Sequence, residues 1–352
     1  MTKIAETRRK SGTHWFGLLS FLSCCVVVGG CGASRDEASQ PVVKPSASDG
    51  PPPPQPAEIA YENQDVSEAV LQSWSGNGSL RRLRLAGSNI SDPALAQLAE
   101  NTELELLDIT GCESIGAAGI DAVGQMTSLR NLRISGDAVN DETVKSLSNL
   151  TNLAALSMQQ AAVTDEGLGV IASMPKLKEL TLYAVPVTDA SLATIAQLPA
   201  LQKLRLRSTG VTGQHAEAFA KMAAVVELDL SETAFVSEGL ASVNEMPSLR
   251  RLNLWLTRVD DAGIQSLDSQ RQLTQLNLDN VSGITDQSLD TIMKMSDLEL
   301  LHLGGTSVTA AGLPKLYGLR KLKTLFLTRL DLPPADVQAL RQAMPWITKL
   351  ES

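Results

Sequence analysis

Aromatic residues are scarce. Phe, Trp and Tyr make up 3% of the 352 residues, so a core must be packed from Leu, Ala, Val and Ile. Histidine numbers 3 and cysteine 4, too few for a His-rich metal centre or a disulfide framework. Positive charge is not in excess: the formal net charge is −9, which argues against nucleic acid as the main partner. No serine has a Gly-x-Ser-x-Gly setting, no glycine-rich phosphate loop occurs, and no pair of histidines has metal-ligand spacing. Catalysis, a cofactor and a metal are therefore not expected. Aliphatic residues are plentiful. The hydrophobic share is 43%, enough for a sizeable core, and length alone suggests roughly two domains.

The N-terminus has the layout of a secretory signal. Lys3, Arg8, Arg9 and Lys10 form a cationic flank, and Trp15 to Val28 is almost wholly apolar. That run is shorter than the roughly 18–20 residues a membrane-spanning helix needs. Val28, Gly29, Gly30 and Cys31 follow, and this group resembles the lipobox of bacterial lipoproteins. The resemblance implies cleavage before Cys31 and a lipid on its thiol, hence a bacterial cell-envelope location. Gly32 in place of Asp favours the outer membrane over the inner. Residues 1–30 carry a net charge of +3, so their removal leaves −12 on the rest. Cys24 and Cys25 leave with them, and Cys112 remains without a disulfide partner.

Residues 31–58 are expected to be a disordered tether. They lack the apolar side chains needed to fold, and the run Pro51-Pro52-Pro53-Pro54-Gln55-Pro56 should be a stiff polyproline segment. Residues 59–79 are expected to form an N-terminal cap. Val66, Ala69, Val70 and Trp74 have helical spacing, which predicts a helix over 65–74 with Trp74 covering the first repeat.

From residue 80 the chain repeats L-x-x-L-x-L, a loop, an aliphatic residue and a short amphipathic stretch. Units begin at Leu80, Leu104, Leu129, Leu153, Leu177, Leu201, Val225, Leu249, Leu273, Leu298 and Leu322. The spacing is 24 residues, or 25 after Leu104 and Leu273. Ile347 and Leu350 read as a truncated last strand. In the unit at Leu177, Leu177, Leu180 and Leu182 take the buried side of a strand, with Glu179 and Thr181 outward. Thr188 and Asp189 then open a helix. The same Asp recurs as Asp92, Asp141, Asp165, Asp261 and Asp286, and each is expected to cap its own helix rather than bind metal. The ninth position holds Ser88, Cys112, Thr209, Thr233, Thr257 and Thr306.

This consensus marks leucine-rich repeats, and the motif Val163-Thr164-Asp165-Glu166-Gly167-Leu168 resembles their ribonuclease-inhibitor-like and F-box-associated form. The resemblance covers roughly residues 80–350. It implies an α/β solenoid of about eleven repeats over residues 80–352, one elongated domain with a parallel concave sheet and short convex helices. That overrules the two domains suggested by length. It implies little about function. The F-box helices are absent, so a ubiquitin-ligase role is not carried over.

Function must then be sought on the outward strand positions, the third, fifth and seventh of each unit. They place Tyr183, Arg205, Arg207, Asp229, Asn253, Trp255, Asn277, Asp279, His302 and Phe326 on the concave face. Aromatics and Arg are the residue types that anchor interfaces. The expected function is a non-catalytic scaffold that binds a protein partner there, with Trp255 as anchor and Arg207 pairing a carboxylate of the partner. The second reading is a glycan- or peptidoglycan-binding module, with Trp255 and Tyr183 stacking on sugar rings.

Overall fold

The computed structural model describes residues 57–66, 70, 73–74 and 79–352. Cys31, the signal, all but two residues of the expected tether and much of the expected cap helix lie outside them. Thirteen strands form one parallel sheet in strict chain order. They are β1 (Glu58–Ala60), β2 (Arg82–Arg84), β3 (Leu106–Asp108), β4 (Asn131–Ser135), β5 (Ala155–Gln159), β6 (Glu179–Tyr183) and β7 (Lys203–Arg205). β8 (Glu227–Asp229), β9 (Arg251–Asn253), β10 (Gln275–Asn277), β11 (Leu300–His302), β12 (Thr324–Phe326) and β13 (Lys349–Glu351) complete it. Each of the eleven units supplies one strand, from β2 to β12. The sheet starts earlier than the repeat, because β1 pairs with β2 through Glu58 opposite Arg82.

The leucine frame explains the stacking. The first, fourth and sixth residues of every unit are at most 2% exposed, from Leu80, Leu83 and Leu85 to Leu322, Leu325 and Leu327. Each fully buried Leu contributes about 1.5–3 kcal/mol. Since a single unit cannot cover this row, neighbours must. The connecting segments are short helices of mixed type. Asp92–Leu98 and Ala117–Gly124 are α-helical, Thr143–Asn149 and Gly167–Ser173 are 3₁₀, and the longest is the α-helix Pro334–Ala343.

The recurrent Asp residues do not cap their own helices. Each reaches across to the next unit: Asp92 accepts there from Gly116 N (2.7 Å), and the carboxylates of the others accept from a Thr twice. Asp141 accepts from Thr164 N (2.7 Å) and Oγ1 (2.7 Å), and Asp165 from Thr188 N (2.8 Å) and Oγ1 (2.6 Å). Asp189 accepts from Thr212 N, Thr212 Oγ1 and Gly213 N at 2.9, 2.6 and 3.1 Å. Asp261 serves Thr285 and Ser288 the same way, and Asp286 serves Thr309. The Gly of the Thr-Asp-x-Gly motif makes room for this carboxylate: a Cβ at Gly167 would collide with Asp141 Oδ1. The helix N-terminus at Asp189 is instead capped by Thr188, whose hydroxyl accepts from Ala190 N.

The turn after each strand is equally regular. The eighth residue of all eleven units has a positive φ: Gly87, Gly111, Gly136 and Gly305, but also Gln160, Ala184, Ser208, Glu232, Leu256, Asn280 and Arg329. This left-handed residue keeps the ladder going past the strand ends, as in Glu232 N to Trp255 O (2.8 Å) and Asn280 N to Gly304 O (2.8 Å). One residue later, the ninth-position hydroxyl closes the turn on the carbonyl three residues back. Thr209, Thr233, Thr257 and Thr306 do so at 2.6–2.7 Å.

At the N-terminal end, Val66 and Trp74 are buried, and the Trp74 ring lies 5.6 Å from that of Tyr61. At the other end Trp346 Nε1 donates to Leu319 O (3.0 Å) and its ring is covered by Arg320 at 4.2 Å.

Candidate functional face of the sheet

The register stacks equivalent residues into columns. Thr181, Arg205, Asp229, Asn253, Asn277, His302 and Phe326 stand side by side at the fifth position. The seventh position belongs to a strand only in β4, β5 and β6. Arg207, Trp255 and Asp279 therefore lie just past the ends of β7, β9 and β10, in the left-handed turns, and not on strands as expected.

Three of the ten expected face residues are buried. Asp229, Asn253 and Asn277 are 6%, 3% and 3% exposed. Each side-chain oxygen folds back onto the backbone two residues on: Asp229 Oδ1 accepts from Ser231 N (2.9 Å), Asn253 Oδ1 from Trp255 N (3.1 Å) and Asn277 Oδ1 from Asp279 N (2.9 Å). A short polar side chain just before a turn competes for local N–H groups, and here it satisfies the backbone of that turn. Burial pushes the Asp229 carboxyl above the usual range, against the pull of Ser231, Asn253 and Arg205.

The centre of the face is a cation cluster wrapped in aromatics. The Arg207 guanidinium lies 5.1 Å from the ring centre of Tyr183 and 5.1 Å from that of Trp255, so one side chain bridges both rings. Its fork is already taken. Nε donates to Glu232 Oε2 (2.9 Å) and Nη2 to Glu232 Oε1 (3.1 Å), while Ser208 Oγ donates to Oε2 (2.6 Å). The carboxylate expected from a partner is thus supplied by the chain itself. Glu232 is held below the usual carboxylate range: burial opposes this, and the bonds from Arg207 and Ser208 outweigh it.

Beside it, Glu227 is buried between two arginines, with Arg205 Nη2 at 2.5 Å and Arg251 Nη2 at 2.5 Å. Lys203 pairs with Glu179 at 2.5 Å. Further along, His302 stacks on Phe326 with ring centres 4.6 Å apart and planes 18° apart. Its Nδ1 accepts from Gly304 N (3.2 Å), which places the proton of the neutral ring on Nε2. Burial holds His302 below its ordinary range, helped by Arg329 and opposed by Asp279. Asp279 pairs with Arg329, and Lys349 Nζ sits 4.8 Å from the Phe326 ring centre.

Thirteen parallel strands in chain order, with one helical or 3₁₀ return between most neighbours, decide the architecture. The chain is a leucine-rich-repeat solenoid. Solved structures agree. An internalin of Listeria monocytogenes matches with a TM-score of 0.53 at 18% identity, covering 82% of this chain and 89% of that one. A leucine-rich-repeat protein of Leptospira interrogans matches with a TM-score of 0.52 at 16% identity, covering 81% and 74%. At that identity the likeness establishes the fold alone. No family model matches the sequence, and no curated protein matches it.

Within this leucine-rich-repeat fold, Tyr183, Arg205, Arg207, Trp255, Asp279, His302 and Phe326 are all partly exposed on one side. Glu227, Glu232 and Arg251 were missed as members of the cluster. Their signal was the 24–25 residue offset between opposite charges, Lys203 from Glu179, Arg251 from Glu227 and Arg207 from Glu232. Cys112 lies away from the face. It is buried, its Sγ donates to Leu85 O (3.0 Å), and burial pushes its thiol up to about 11. Among the described residues no group of three or more His, Cys, Asp and Glu is placed to hold a metal, and no helix is long and apolar enough to cross a membrane.

Proposed function

We propose that this chain is a non-catalytic scaffold that binds a protein partner on the open face of its sheet. It would be held in the bacterial cell envelope by a lipid on Cys31, at the outer rather than the inner membrane. In this reading residues 1–30 are a removed signal, residues 31–58 a tether whose last residue, Glu58, already opens β1, residues 59–79 a cap and residues 80–352 the binding domain. The observation that carries the binding reading is the group Tyr183, Arg207 and Trp255. In a chain with 3% aromatics, two rings and an arginine meet on the sheet side, and the Trp255 backbone N–H is fixed by Asn253 Oδ1. Large rings and arginines on a rigid base form interface hot spots, because little entropy is lost when they dock.

The glycan reading is weaker on one ground. A ring that stacks on a sugar needs an open face, and Tyr183 and Trp255 each turn one face to Arg207.

Two experiments test the proposal. A photo-crosslinker placed at Gln159, beside Tyr183 in the register, should capture a discrete protein in intact cells, and Trp255→Ala should abolish the capture. Loss of neither adduct nor affinity on Trp255→Ala refutes the face. Acyl labelling of the wild type and of Cys31→Ser tests the anchor, and an unlabelled wild type refutes it.

A further inference from the structure

Charge is divided between the two sides of the solenoid. The first eight residues of the eleven units hold thirteen Lys and Arg against eight Asp and Glu, a net of +5. The connecting segments between residues 88 and 348 hold ten against twenty-two, a net of −12. A protein whose formal charge is −9 thus carries a cationic sheet side and a strongly acidic helix side.

Part of this excess, a net of +2, lies around the aromatic cluster. The strand segments of β6 to β9 contain Lys178, Lys203, Arg205, Arg207, Arg250 and Arg251 against Glu179, Glu227, Asp229 and Glu232. Glu227 is shared by Arg205 and Arg251, so two cations draw on one carboxylate. Lys178 is exposed on the approach to β6. A carboxylate is the acceptor that a surplus of guanidinium groups selects.

We propose, resting on the protein-binding reading above, that the partner presents an acidic peptide segment which lies across β6 to β9. Its carboxylates meet Lys178, Arg205, Arg250 and Arg251. Arg207 stays with Glu232 and acts as the wedge that sets the two rings. The cationic patch attracts the segment over about a Debye length, so association is sensitive to salt. The −12 of the connecting segments repels the same segment from the helix side, which confines docking to one side.

The test uses the full chain in detergent and fluorescein-labelled poly-L-glutamate, read by fluorescence anisotropy. Binding is expected, with affinity falling at least tenfold between 50 and 300 mM salt. Lys178→Glu with Arg250→Glu should weaken poly-L-glutamate at least tenfold with an unchanged melting temperature. Absence of poly-L-glutamate binding, or indifference to the charge reversal, overturns the proposal. So does polygalacturonate binding as tightly as poly-L-glutamate, which would make the ligand an acidic glycan. The two readings fail separately. If cross-linking captures a protein through Gln159 while poly-L-glutamate does not bind, the scaffold stands and the acidic chemistry falls.

Discussion

Removing the Asp189 carboxylate should loosen the solenoid at one defined interface. Asp189 receives two N–H groups and one hydroxyl from the next unit, at 2.9, 3.1 and 2.6 Å. A hydrogen bond to a charged acceptor is worth about 1.5–3 kcal/mol when shielded. Asp189 is only partly buried and its three bonds share one group, so the sum must be discounted for solvent and non-additivity. A loss of about 2–3 kcal/mol is expected for Asp189→Ala, and about 1 kcal/mol for Asp189→Asn, which keeps one acceptor oxygen. Burial alone would raise this carboxyl, but the bonds from Thr212 and Gly213 prevail and hold it below the usual carboxylate range. A depressed carboxyl stabilises the fold above its ordinary pKa and loses that contribution as pH falls through the folded value. Urea titrations at pH 7 and at pH 2.5 should therefore show the wild type and Asp189→Asn converging in acid. Exposed Asp268, which pairs with Lys294, is the control and should matter little when replaced by Asn. If Asp189→Ala behaves like that control at pH 7, or if the gap to Asn persists unchanged in acid, the cross-unit brace contributes nothing.

Other expectations follow from single features. Gly136→Ala meets no atom within 4 Å but must keep a φ of +91°, so it should destabilise by about 0.5–1 kcal/mol in the same assay, strain less the unfolded-state entropy. Glu232→Gln weakens the fork on Arg207 and should change the near-ultraviolet dichroism of Trp255 while far-ultraviolet dichroism stays constant; an unchanged spectrum would mean that Glu232 does not set the rings. Cys112, with its thiol pushed up to about 11, should resist a thiol reagent at pH 8 until denaturant is added, and fast labelling of the native chain would contradict its burial.

The repeat was open to inspection in the sequence because its cause is repeated: leucines at the first, fourth and sixth positions have no other way to leave water. Even the strand order follows once each unit is short and covers only its neighbour. The brace was misplaced for a physical reason. Within one unit, Asp after Thr looks like a cap, and nothing local tells that its carboxylate is used one unit further on. The face was half legible. Alternation told which residues leave the core, so Tyr183, Arg205, His302 and Phe326 were placed correctly on one side. It could not tell that Asp229, Asn253 and Asn277 would bend back to their own turns, since that depends on backbone N–H groups freed by the turn. Nor could it show that Glu232 lies against Arg207, because the left-handed eighth residue obeys no alternation.

That eighth residue has a consequence for how much surface the fold can present. A turn built on glycine would end the display at the seventh position. Seven of the eleven turns instead hold a side chain at a φ between +49° and +61°. Three of these reach back over the sheet side: Glu232 to Arg207, Asn280 to Asp279 and Arg329 to Asp279. Each non-glycine there strains the backbone by about 1–2 kcal/mol. In return the solenoid acquires a fourth row of side chains along its rim, set on backbone too constrained to swing. Leu256, half exposed on this rim next to Trp255, is the one apolar large member. A segment crossing the strands would therefore be gripped along its edge as well as from below. Specificity could be retuned by exchanging rim residues alone, with the leucine frame left untouched.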